Sequence, residues 1–142
     1  MSVGSLSLQK NIINMPRPFR NRKVCYPPQM SGFKPFGIPF CESECVKLQF
    51  DEYESIKLVN YEKLSQEIAA EKMNVSRPTF TRIYNSALTK IAKSFVECLS
   101  IEIIGGNVEF ENEYFECKKC KSYTDEVIGN ERCKNCKHNK YN

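Results

Sequence analysis

The sequence predicts a mainly α-helical domain centred on a helix-turn-helix, a winged or plain three-helix core, with an extended N-terminal arm, a short β-hairpin and a small cysteine tail. Three observations lead there. Apolar residues recur at helical spacing between residues 50 and 98, behind side chains that cap helices. Six of the seven prolines fall between residues 15 and 40. Two Cys-x-x-Cys pairs, twelve residues apart, close the sequence.

The 142 residues suit one ordinary domain with a small appendage. With 41% hydrophobic and 27% charged residues, the chain can bury a core. Residues 1–14 read as a disordered leader without the continuous apolar centre of a secretion signal, and no apolar run approaches membrane-spanning length. The expected location is the cytoplasm, with no membrane partner.

Proline removes backbone donors and fixes φ, so residues 15–40 should be an extended arm. Val46, Leu48 and Phe50 alternate with Lys47 and Gln49, as in a short half-buried strand. Asp51 and Glu54 have the spacing of a capping pair for a first helix carrying Ile56, Val59 and Leu64. Ser65 then offers a cap to a second, short helix with Ile68, Ala69 and Met73. Asn74, which tolerates the left-handed conformation, marks a sharp turn. Ser76 caps a third helix, Pro78 sits in its first turn, and Phe80, Ile83, Leu88 and Ile91 form its inward stripe as far as about Val96. Ile101 and Ile103, a Gly105-Gly106-Asn107 turn, and Val108 and Phe110 read as a β-hairpin.

Net charge is only +4, but its distribution is uneven. Residues 1–41 carry six bases and no acid, residues 42–72 hold eight acids against four bases, and residues 73–98 hold four bases against Glu97 alone. Residues 99–116 are purely acidic and the tail is basic again. The glutamates read as solvent-facing. The basic blocks suit phosphate-facing surfaces.

Two helices joined by a three- or four-residue turn place the second in the major groove of double-stranded DNA. Ala70 is small where the helices would cross, and Val75, Phe80 and Ile83 would fill the wedge between them. That leaves Ser76, Arg77, Thr81, Arg82 and Asn85 outward, with Arg77, Thr81, Arg82 and Asn85 as candidate contacts to bases or nearby phosphates. Ser65, Gln66 and Lys90 are candidate phosphate contacts, and Arg17, Arg20, Arg22 and Lys23 would let the arm follow the DNA backbone.

Met15-Pro-Arg-Pro18, Phe33-Lys-Pro35, Gly37-Ile-Pro39, Ser65-Gln-Glu67, Val75-Ser-Arg-Pro-Thr-Phe80 and Gly105-Gly106 together resemble the family of predicted DNA-binding proteins known as domain of unknown function 134. The resemblance covers residues 15–106, in order. It implies a helix-turn-helix similar to region four of sigma factors, acting on promoter-type or operator DNA. Asn74 and Cys98 depart from it, standing where glycine is usual or common. Because the resemblance begins at Met15, that residue is a candidate translation start.

Residues 107–142 read as a linker and a metal-binding tail. Cys117, Cys120, Cys133 and Cys136 can offer four thiolates to one structural zinc ion, which would organise a segment too short to build its own core. Disulfides fit a reducing compartment poorly, and iron is the competing metal. His138 lies close by, and Cys25, Cys41, Cys45 and Cys98 read as ordinary thiols. The sequence has no His–Asp–Ser set, phosphate loop or paired-carboxylate motif, so an enzyme is not expected. The leading expectation is sequence-specific DNA binding by a transcription regulator, with homo-oligomerisation suiting palindromic sites. The alternatives are a zinc-dependent adaptor docking on RNA polymerase or another protein, and a redox- or metal-sensing protein.

Overall fold

The computed structural model describes residues 21–39 and 44–117, together with the backbone of three two-residue strands in the tail. The fold is mixed: three helices and small sheets. In chain order these are β1 (Arg22–Val24), β2 (Gly32–Phe33), β3 (Cys45–Leu48), α1 (Phe50–Ile56), α2 (Gln66–Lys72), α3 (Arg77–Val96), β4 (Ser100–Ile103), β5 (Val108–Phe110), β6 (Phe115–Glu116), β7 (Tyr123–Thr124), β8 (Val127–Ile128) and β9 (Arg132–Cys133). The expectation of a mainly α domain is corrected accordingly.

The predicted hairpin is corrected as well. β4 is the centre of a three-stranded sheet, antiparallel to β2 and parallel to β3, while β5 pairs in parallel with β1. Gly105 and Gly106 take φ of 75° and 100° and redirect the chain, so that β5 meets the arm instead of β4. The physical reason is that both partners of β4 come from far upstream. Phe33 pairs with Ile101, and Leu48 with Ile103, leaving β4 without a free edge. Gly32 makes this register possible, because a Cβ there would lie 1.9 Å from the carbonyl oxygen of Ile101.

The arm is thus stitched into the domain through β1 and β2. The amide of Lys23 donates to the Met73 carbonyl at 3.0 Å, satisfying an acceptor left open at the end of α2.

Helix α1 begins two residues earlier than the Asp51–Glu54 spacing suggests. Its cap is Gln49, whose amide donates to Glu52 Oε2 at 2.8 Å. Phe50 is the first helical residue, not the end of a strand. The helix runs into a π-turn over Lys57–Tyr61, which ends at Lys63 with φ 58°. Ile56 then packs against one apolar cluster and Leu58 lies inside the other.

The first cluster joins Val24, Leu48, Phe50, Ala87, Ile101 and Ile103, with Ile91, Val108 and Phe110 against it. The Phe50 and Phe110 rings meet edge to face at 5.5 Å between centroids. The second holds Leu58, Ala69, Ala70, Met73 and Phe80 between the π-turn, α2 and α3. On α3 the buried stripe is Phe80, Ile83, Ala87 and Ser94, at the three- and four-residue steps of one helical face. Leu88, expected inward, is exposed because it lies five residues beyond Ile83; Ile68 on α2 is exposed too. The acids of α1 are also not solvent-facing: Asp51, Glu52 and Glu54 are all buried.

Candidate nucleic-acid interface

Helices α2 and α3 cross where Ala69 and Ala70 leave room for Phe80, which is fully buried. Ser65 caps α2 by accepting from the Ile68 amide at 3.3 Å, and Ser76 caps α3 by accepting from the Thr79 amide at 3.4 Å. Between the helices Asn74 takes φ 54°, and the Asn74 and Val75 amides donate back to the carbonyls of Glu71 and Ala70 at 3.0 Å. The turn is therefore closed by its own backbone. Tyr84 stacks on Phe80 and donates its hydroxyl to Asn60 Oδ1 at 2.9 Å, which ties α3 to the π-turn.

Opposite this core, Ser76, Arg77, Arg82 and Asn85 are exposed and Thr81 is half-buried. The twenty residues of α3 contain Arg77, Arg82, Lys90 and Lys93 and no acid. Arg77 pairs with Glu67 on α2. Thr81 donates from Oγ1 to Gln66 Oε1 and to the Arg77 carbonyl, both at 3.1 Å. Arg82 Nη2 donates to Thr79 Oγ1 at 3.4 Å. Glu67 is an acid within the face that sequence reasoning missed; its ten-residue separation from Arg77 carries no local signal.

Two of the expected phosphate contacts serve the interior. Lys90 Nζ lies 2.7 Å from buried Glu52 Oε2, and Ser86 Oγ donates to Oε1 of the same carboxylate at 2.6 Å. Arg22 Nη1 lies 2.5 Å from Oδ2 of buried Asp51, whose other oxygen accepts from the Glu52 amide. Arg22 and Arg82 stand with Thr79 and Ser86 around a shallow cleft of about 300 Å³ between the start of α1 and α3. Lys23 is exposed, while Arg17 and Arg20 lie outside the described residues.

A second cluster of titratable groups, also missed in the sequence, lies at the α1–π junction. Glu54 and Lys57, both buried, stand 2.8 Å apart, paired by charge without an aligned hydrogen bond. The Lys57 ammonium also sits 4.4 Å above the Tyr26 ring. Burial pushes the Glu54 carboxyl up, more than the neighbouring ammonium pulls it down. For Lys57 burial acts downward, but the Glu54 carboxylate outweighs it and the net shift is upward. Burial raises Cys25 and Tyr53 as well, Cys25 further so by its 3.4 Å hydrogen bond to Glu111.

Of the four expected metal ligands, Cys117 is buried just after β6, and Cys133 lies in β9. Cys120 and Cys136 are outside the described residues, as is the side chain of Cys133. β6 pairs antiparallel with β7, and β8 with β9. Cys117 follows directly on β6, and the second Cys-x-x-Cys pair begins in β9. Among the described residues no group of three or more His, Cys, Asp or Glu is placed to hold a metal, and no helix is long and apolar enough to cross a membrane.

Residues 12–111 match the family described as "Protein of unknown function DUF134". A UPF0251 protein of Chloroherpeton thalassium is 44% identical over 106 residues, which span 75% of this chain and 70% of the relative. UPF0251 proteins of Desulforudis audaxviator and Clostridium acetobutylicum are each 41% identical, over 76% and 87% of this chain and 71% and 83% of their own lengths. No solved structure matches.

Proposed function

The chain belongs to the DUF134 family, and we propose that it is a double-stranded DNA-binding protein, a transcription regulator rather than an enzyme, that reads the major groove with α3. In this reading α2, the Asn74 turn and α3 form a helix-turn-helix. The observation that carries it is the exposed, acid-free first half of α3, with Arg77, Arg82 and Asn85 on a helix held in place by Phe80, Tyr84 and its Ser76 cap. Arginine can form paired hydrogen bonds with guanine and asparagine with adenine, each worth about 1–3 kcal/mol of discrimination. The Arg77–Glu67 pair is solvent-exposed, so a phosphate or a guanine edge can replace the carboxylate at little cost.

The tail binds zinc in this reading. Its donor set is four soft thiolates in two Cys-x-x-Cys pairs twelve residues apart. Zinc would supply structure there, with Cys117, Cys120, Cys133 and Cys136 holding it.

Anisotropy titrations with DNA selected from a random pool, across a salt series, test the proposal. Affinity should fall steeply with salt, and an Arg77→Ala, Arg82→Ala double variant should lose at least tenfold on its best site. A double variant that binds like the parent would end the DNA reading of this face.

A further inference from the structure

We infer that the chain pairs with a second copy of itself through the apolar patch at the far end of α3. Phe33 at the end of β2, with Phe36 and Ile38 on the segment after it, lines a hollow of about 310 Å³ together with Phe95 on the last turn of α3, which Val96 follows in the chain. All five are exposed, Phe36 completely. Scattered apolar side chains are ordinary on a surface, but an aromatic cluster around a hollow marks an interaction site.

Three features select a second copy over other occupants. The patch holds both a projecting aromatic ring, Phe36, and a hollow large enough to receive one. A two-fold interface requires that complementarity of a single surface, since each copy supplies the same residues to the other. The charges around it carry both signs: Lys34 lines the hollow, Glu44 and Glu97 line the adjoining one, and Glu97 pairs with Lys93. A strongly charged partner would call for one sign; a copy of the same chain needs both. The patch is also preformed. Phe33 is in register with Ile101 of the central strand, and Pro35 and Pro39 restrict the segment between.

The location suits the proposed DNA face, on which only the spacing below depends. Phe95 is fourteen residues beyond Thr81, roughly 21 Å along the helix, so a copy seated there leaves the first turns of α3 clear. Joined through the patch, the two Thr81 positions are separated by at most about 42 Å of helix plus the width of the interface, which admits half-sites one turn of DNA apart, about 34 Å.

Sedimentation of the full chain without DNA tests the pairing. The parent should run as a dimer at micromolar concentration, and Phe36→Asp and Phe95→Asp should each weaken association by at least about tenfold. Both residues are exposed, so thermal melting of the dilute chains should be unchanged. A charge-only variant, Glu44→Lys with Glu97→Lys, should also dissociate by making the rim wholly basic. A parent that stays monomeric at high concentration, or a Phe36→Asp variant that associates like the parent, overturns the inference. Because these readings use no DNA, failure of the DNA proposal leaves them standing.

Discussion

Asn74 and Cys98 occupy the same position in two helix endings: each takes a left-handed backbone, φ 54° and 57°, as the residue after a helix C-cap. In both, the following amide reaches back to a carbonyl five residues earlier, Val75 to Ala70 at 3.0 Å and Leu99 to Ser94 at 2.9 Å. These are the two positions at which the family resemblance implies glycine, and the geometry supplies the reason.

A left-handed residue with a Cβ costs roughly 1–2 kcal/mol, while glycine costs about 0.5–1 kcal/mol in backbone entropy. Cys98→Gly should therefore stabilise the protein by about 0.5–1 kcal/mol in urea denaturation. Asn74→Gly should change stability little, because asparagine already tolerates this conformation. Asn74→Val should destabilise, β-branched side chains being least able to adopt it.

The buried Glu54–Lys57 pair predicts an asymmetry between single and double replacement. Lys57→Met leaves a buried carboxylate without its cation and should cost about 3–5 kcal/mol, whereas Glu54→Met with Lys57→Met should be neutral or stabilising.

The same pair sets a pH dependence. Burial raises the folded Glu54 carboxyl above its ordinary range, so folding favours the protonated form and stability falls as pH rises through that raised value. In Lys57→Met the restraining ammonium is gone and the fall should steepen. Denaturation midpoints at pH 5 and pH 8 check this, and a Lys57→Met variant more stable at pH 8 would reverse the sign.

These residues also show what the sequence could and could not disclose. Ser65, Asn74, Ser76 and Pro78 act on their own few residues, so their roles in α2 and α3 were legible, and the structure places each where its chemistry suggested. The pairing of β1 with β5 joins Arg22 to Val108 across the length of the domain, and no local pattern reports it. The Gly105-Gly106-Asn107 turn signal was real, but the competing upstream partners of β4 decided the topology. Glu52 reads as a solvent-facing acid and Asp51 as a cap because their cations, Lys90 and Arg22, are 38 and 29 residues away. Of the candidate DNA face, the outward set on α3 was readable from helical period. The internal duties of Lys90 and Arg22 were not, because they arise from tertiary packing.

Lys90 and Arg82 should consequently separate in experiment, although both are bases on α3. Arg82 is exposed and among the described residues donates only to Thr79 at 3.4 Å, so Arg82→Ala should alter stability by less than about 0.5 kcal/mol while weakening DNA binding. Lys90 neutralises buried Glu52, so Lys90→Ala should cost about 1–3 kcal/mol of stability. Its effect on DNA affinity should be small once the fraction folded is accounted for. Parallel thermal melts and anisotropy titrations decide it, and a Lys90→Ala loss of affinity with no loss of stability would make Lys90 a phosphate contact after all.

Zinc removal should divide the molecule into a part that needs the ion and a part that does not. The helices and the sheets of β1 to β5 enclose two apolar clusters built entirely from residues 24–110. Among the described residues the tail pairs its strands two residues at a time, and a segment of this length is too short to build its own core. A tight chelator should therefore leave helical circular dichroism nearly intact while releasing one zinc per chain and exposing four thiols to titration, with protease cleavage appearing beyond about residue 117. Replacing Cys117 and Cys120 with serine should reproduce the cleavage without chelator. Purified protein containing iron in place of zinc would change the assignment of the metal. A tail that resists protease after complete metal removal would show that β6 to β9 are held by something other than the cysteines.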